Sequence, residues 1–321
     1  PPGWAVNGAL SAKLADFATV NGAFRHTTFG FGSVSSKIGE RTRAETTAYD
    51  VSANVNLDKL LPGNHGIKLP MFVSYQNTII DPNYDPANPD MRLDAALKSF
   101  NTDEERRNYL KLIRDQETRR SLNFTNVRKA KVKADAPVHL WDIENFSFSY
   151  SFSEARHTNF NIKEALQQNY RGSINYNFSP KETGIEPFKN SKGLKSPYLQ
   201  LIKDFNIGLL PSNLAVRLDL DRSFGKNVYR NESGAQAPNY LKYFLFNRAY
   251  NLRWPLSKGL TLEYTATANA VIDEPAGEID TKENRDSVWT NLKHFGRMKL
   301  YNQTTTINYK LPIEKFHSLT G

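Results

Sequence analysis

The chain has 321 residues, a formal net charge of +9, 12% aromatic residues and no cysteine. Without cysteine there is no disulfide framework, thiolate metal site, iron–sulfur cluster or thiol nucleophile. No run approaches the roughly 18 apolar residues of a membrane-spanning helix, and the apolar content is too high for a disordered chain. The basic residues are dispersed and their densest group, between Asp103 and Arg120, is mixed in sign. The basic patch that nucleic acid would need is missing, so no nucleic-acid partner is expected.

Side chains that alternate in polarity belong to strands with one apolar and one polar face. In chain order the alternation predicts strands over about 4–14 and 16–26, then 46–57, where Tyr49, Val51, Ala53, Val55 and Leu57 oppose Asp50, Ser52, Asn54 and Asn56. A strand over 66–79 follows, with Ile67, Leu69, Met71, Val73 and Tyr75 at every second position. The stretch 80–117 reads as an inserted loop that is partly helical, with the helices near 90–117. Leu93, Leu97 and Phe100 stand at helical spacing, and Thr102 with Glu105 makes a capping-box pattern opening a second helix through Tyr109, Leu110 and Ile113.

Strands resume over 118–129 and 144–155, where Phe146, Phe148, Tyr150 and Phe152 oppose Ser147, Ser149 and Ser151, and over 165–179. The Lys-, Pro- and Gly-rich stretch 181–212 reads as an extended excursion. Beyond it lie 213–224, with Leu214, Val216, Leu218 and Leu220 opposite Arg217, Asp219 and Asp221, and 240–254, whose apolar face Arg248 interrupts. The last two are 259–272, with Ala266, Ala268 and Ala270 opposite Glu263, Thr265, Thr267 and Asn269, and 297–311.

These runs are twice the usual strand of about 5–6 residues and match the roughly 9–11 that cross a bilayer as a tilted strand. Proline-bearing short turns near 60–67, 209–214, 254–260 and 311–315 alternate with long polar connections over 27–45, 80–117, 225–239 and 273–295. Short turns on one side and long loops on the other are the habit of outer-membrane barrels. The fold expected is all-β, with residues 1–321 forming part of one transmembrane β-barrel domain. About eleven antiparallel strands is an odd number, whereas bacterial single-chain barrels have even ones. The opening Pro1-Pro2-Gly3-Trp4 is not a natural translation start. Both features suggest an arc of a larger wall. The 181–212 excursion would lie on the short-turn side.

Motifs for chemistry are weak. The six histidines are dispersed, Gly30-Phe31-Gly32 has Ser35 where a dinucleotide loop needs glycine, and Asp81 to Pro86 has proline where a calcium loop needs glycine. No catalytic, cofactor-binding or metal-binding residue is assigned, no cofactor is expected, and the chain is not expected to be an enzyme. Asp219 and Asp221, beside Arg217, read as lining residues. The candidate functional residues are the polar faces of the strands, which a barrel would turn to its lumen: Asp50, Ser52, Asn54, Asn56, Ser147, Ser149, Ser151, Arg217, Asp219, Asp221, Glu263, Thr265, Thr267 and Asn269. Ala53 and Ala268 would face lipid. A nutrient-transporter barrel segment shares this strand physics. A soluble β-sandwich with a glycan-binding aromatic strip also alternates.

Longer stretches are more specific than periodicity. They include Ala12 to Ala18, Phe29 to Ser33, Asp50 to Lys59, Lys68 to Tyr75, Arg119 to Lys129, Asp142 to Phe146 and Tyr170 to Tyr176. In these the chain resembles the SprA/Sov family of gliding-motility proteins of Bacteroidetes, the outer-membrane translocon of the type 9 secretion system. The resemblance implies a protein-conducting pore at the cell surface that exports folded cargo. It implies as partners cargo proteins with C-terminal secretion signals, a PorV-like outer-membrane barrel protein, a periplasmic plug protein, accessory lipoproteins and outer-membrane lipid.

Overall fold

The structure is a computed structural model that describes residues 3–32, 42–63, 65–132, 137–181, 184–188, 206–230 and 236–310. Eleven long strands follow one another along a single antiparallel sheet in sequence order, each paired with its chain neighbours. They are β1 (Ala5–Leu14), β2 (Ala18–Thr27), β3 (Ala44–Asn56), β4 (Pro70–Pro82), β5 (Asp115–Lys129) and β6 (Phe146–Thr158). They continue as β7 (Ile162–Phe178), β8 (Asn213–Tyr229), β9 (Asn239–Pro255), β10 (Leu260–Val271) and β11 (Arg297–Tyr309). A twelfth, two-residue strand, Ile67–Lys68, pairs with the end of β5. Strand by strand this is the all-β arc that the alternation predicts. β1 and β11 form its two edges.

The differences have local causes. Leu57 leaves the alternation because Leu57–Leu60 wind into a 3₁₀ turn. The run at 66–79 divides at Leu69 into the short strand and β4. β7, β8 and β9 have 17 residues each and outrun the predicted lengths, continuing past the apolar band into charged residues. The β6–β7 connection shrinks to 159–161 because the Asn159 side chain accepts from the Asn161 and Ile162 amides at 3.0 and 2.8 Å, an Asx turn. So one tight turn lies on the long-loop side, while the β5–β6 connection on the other side spans 130–145.

The insertion after β4 contains α1 (Leu93–Lys98) and α2 (Asp103–Ile113). The capping box is formed: the Glu105 amide donates to Thr102 Oγ1 at 3.2 Å, and the Thr102 amide donates to Glu105 at 3.1 Å. Leu93, Ala96 and Ile113 are its buried contacts. Asp81 and Asp85, the carboxylates of the calcium-like stretch, have structural partners. Arg114 grips Asp81 at 2.6 and 2.8 Å, and Tyr109 donates to Asp85.

A third helix, α3 (Lys282–Lys293), was not expected in the 273–295 loop. Its apolar residues are Val288, Trp289 and Leu292, all in its second half, too short a stripe to read from sequence. Thr281 caps it, and Val288 and Leu292 pack on Phe244, Phe246 and Ile272. Of the 181–212 excursion, Gly184–Ile185 pairs with Ile207–Gly208. This base is tied to the β9–β10 turn by Trp254 Nε1 donating to Gly208 O at 3.0 Å and the Lys258 amide donating to Asn206 at 2.7 Å. Its central part and the expected 311–315 turn lie outside the described residues.

Candidate functional site

Antiparallel partners share a face, so the register sorts every strand residue. Asp50, Ser52, Asn54 and Asn56 pair with Gln76, Ser74, Phe72 and Pro70 of β4. Ser74 lies opposite Ser121, which lies opposite Ser153, on the same side as Ser147, Ser149 and Ser151. Ser151, Ser149 and Ser147 pair with Arg171, Ser173 and Asn175, and these pair in turn with Asp221, Asp219 and Arg217. Asp219 continues through Asn247 to Asn269; Thr267, Thr265 and Glu263 face Ala249, Asn251 and Arg253. Every predicted polar-face residue is therefore brought to one side of one sheet.

Short polar contacts hold this side. Ser74 and Ser121 hydroxyls lie 2.7 Å apart. Gln167 donates to Ser223 at 2.7 Å, and Ser223 donates to Asn169 at 3.0 Å. Three ion pairs lie on it: Arg217 with Asp219 at 2.7 Å, Arg171 with Asp221 at 3.5 Å, and Arg253 with Glu263 at 3.5 Å. Pairing leaves a face that is polar but not dominated by one sign. A shallow depression of about 720 Å³ lies over Ser149, Ser151, Arg171, Asp219 and Asp221, where Asp221 Oδ1 has no hydrogen-bond partner among the described residues. Arg171, Ser173 and Asn175 belong to this surface but were not singled out from sequence. The signal was available as the alternates of Tyr170, Ile174 and Tyr176.

The opposite face is apolar and open. Leu10, Val51, Val73, Phe148 and Ile174 are 73, 51, 39, 42 and 44% exposed. A sandwich would cover such a face with a second sheet; here the described residues make one long sheet, and α3 covers only part of β8 and β9. Toward the long-loop end this face becomes charged. One line of cross-strand partners runs through Arg120, Glu154, Gln168, Phe224 and Lys242. Glu154 is held by Arg120 at 2.9 Å and by Gln168 at 2.6 Å. Arg222 pairs with Glu274, and Lys242 donates to Gly277 O at 2.8 Å.

Two expected lipid-side positions differ. Ala53 is half-buried, whereas Ala268 is buried, beside Arg248 in β9 and Tyr301 in β11. Arg248 itself lies beside the stacked Phe246 and Phe295 rings, 5.3 and 5.2 Å from their centres, within cation–π reach of both.

No curated protein matches the chain in sequence. Residues 2–97, covering β1 to β4 and most of α1, match the family SprA_N, described as motility related/secretion protein. The stretches of resemblance in β5, β6 and β7 lie beyond that match. The resemblance read from the sequence thus meets an independent family match over the first part of the sheet, residues 2–97 of 321.

Proposed function

We propose that this chain is a wall segment of a very large transmembrane β-barrel in the bacterial outer membrane. Its apolar face meets lipid and its polar face lines a water-filled, protein-conducting passage. The observation that carries the reading is the two-sided sheet: membrane-length strands, an exposed apolar face across most of them, and a continuous polar face behind it. A soluble domain seldom leaves so large an apolar surface open. Within a motility and secretion family, the conducted species would be folded cargo bearing C-terminal secretion signals. The paired charges and hydroxyls would offer such cargo little to adhere to. A PorV-like barrel protein, a periplasmic plug and accessory lipoproteins would be its assembly partners. No catalytic step is assigned to the wall.

The test is a pair of substitutions in the full protein in its membrane. Ala53→Arg puts a charge on the lipid side and is expected to cost about 2–4 kcal/mol if it lies near the bilayer midplane. Thr265→Arg puts it on the exposed polar side and should cost little. Folded fraction in the outer membrane, read by resistance to denaturation on an unheated gel, reports both. Equal tolerance, or recovery of the protein in the soluble fraction, would contradict the proposal.

A further inference from the structure

Arg248 differs from the other cations on the apolar side of the sheet. Arg120, Arg156, Arg222, Lys226 and Lys242, nearer the long-loop end, each have a carboxylate partner. Arg248 has none among the described residues. Its one hydrogen bond there runs from Nη2 to Met298 Sδ at 3.8 Å, and its Nε is buried without a partner. A thioether is a weak acceptor for a guanidinium with five donors.

Its depth excludes the usual remedies. Arg248 lies midway along β9 between Lys242 on the charged line and Trp254 at the short-turn end. At a rise of about 3.3 Å per residue and a barrel tilt of about 40°, each level is about 15 Å away, farther than an arginine side chain extends. Its cross-strand neighbours on one side, Leu218, Ile174 and Phe148, form an apolar row. On the other side Ala268 and Tyr301 continue the row, and the pairs Ala266–Gln303 and Tyr264–Thr305 put amide and hydroxyl groups beside it. Gln303 accepts from Tyr301 at 2.9 Å and from Tyr264 at 3.4 Å. At this depth β6–β8 suit lipid, whereas β9–β11 carry a cation and polar groups. A depression of about 470 Å³ opens there, lined by Arg248, Tyr264, Tyr301 and the small Ala268.

We infer that the apolar side of β9–β11 docks a second integral membrane protein, and that an Asp or Glu side chain of that protein enters the depression and pairs with Arg248. A lone cation at mid-membrane is costly, and such residues pair with groups of the protein that covers them. A guanidinium with unfilled donors fits one carboxylate in bidentate fashion. The Gln303 and tyrosine groups around it are of the kind that join membrane segments by hydrogen bonds. A lipid headgroup does not answer to this site, because its phosphate lies at the interface. Nor does a second copy of this chain, whose strands turn their mid-depth carboxylates, Asp50, Asp219 and Asp221, to the polar side. The inference rests on the membrane reading above and goes beyond it in placing a contact surface and naming the group that recognises it.

The experiment places a photoreactive benzophenone side chain at Tyr301, in the row of Arg248, or at Ile174, in the same row on β7, of the full-length protein in intact outer membranes. Mass spectrometry of the linked peptides identifies what lies against each position. Position 301 should link to another integral membrane protein through a segment that contains an Asp or Glu, and position 174 should not. Arg248→Met should abolish the link while keeping heat-modifiable migration on gels. Replacing the partner's carboxylate by Lys should abolish it as well, and Arg248→Glu combined with that change should restore it. The partner-side change tests the pair even where an Arg248 variant fails to fold. No protein link at 301, a link to this protein's own chain or to a segment without a carboxylate, or a link that survives both single changes would overturn the inference alone. Recovery of the native protein in the soluble fraction would overturn it together with the membrane reading.

Discussion

Ser149 lies on the polar face, yet it is more than a lining residue. Its hydroxyl accepts the Asn126 amide at 2.9 Å where β5 bulges between Phe124 and Val127. Asn126 has φ 55°, a left-handed conformation that asparagine tolerates better than most residues. Ser149→Ala should therefore destabilise the folded protein by about 1 kcal/mol, whereas Ser52→Ala should be nearly silent; thermal midpoints in detergent compare the two. Tyr109 gives a second residue-level test. Burial, then the hydrogen bond to the Asp85 carboxylate, push its phenol up to about 12. A phenol raised above its unfolded value stabilises the fold below that value, and the contribution is lost as pH rises toward 12. Absorbance titration should find a late-ionising tyrosine in the native protein that disappears in Tyr109→Phe and ionises earlier in Asp85→Asn.

Among the elements, the turns and caps are where local chemistry decides most. Thr102→Ala removes the α2 cap and should cost about 1 kcal/mol of loop stability, visible as faster proteolysis within 93–113. On the opposite side of the sheet Asp58 is nearly buried. Burial works to raise its carboxyl, but the Leu69 amide at 3.2 Å and Lys68 at 3.3 Å outweigh it and hold it below the ordinary range. A depressed carboxyl stabilises above its unfolded value and stops doing so as pH falls through the folded one. Asp58→Asn should thus lower the melting temperature at neutral pH, and the gap to the native protein should close below about pH 4.

The same scale shows what could be read from sequence. Long amphipathic strands announce themselves by period two, because one face is apolar and the other polar. The α2 capping box is equally visible, because Thr102 and Glu105 satisfy backbone groups three residues apart. The Asx turn at Asn159 needed one side chain to serve two amides, a signal easily lost in a polar stretch. The helix α3 shows little stripe of its own because the sheet supplies its packing surface. Ala268 looked lipid-facing by parity, but parity gives the side of a sheet and not what neighbouring side chains such as Arg248 and Tyr301 lay over it.

For the whole molecule, the central feature is the separation of two surfaces across one sheet. Each strand contributes little by itself; the faces become continuous only because the register keeps every neighbour in phase. A one-residue slip would reverse every side chain of a strand, so the stacked serines of β4, β5 and β6 and the paired charges of β7 and β8 all depend on the same alignment. Among the described residues β1 and β11 each pair on one side only.

The absence of cysteine allows the most direct measurement of this separation. Single cysteines placed from Asp50 to Asn56 of β3, in full-length protein otherwise free of accessible thiols, can be probed in intact outer membranes. A charged, water-soluble maleimide and a lipid-dissolved quencher of a thiol-linked fluorophore report the two media. The account predicts strict alternation: Asp50, Ser52, Asn54 and Asn56 labelled from water, and Val51, Ala53 and Val55 reached from lipid. Uniform labelling from water along the strand would contradict it.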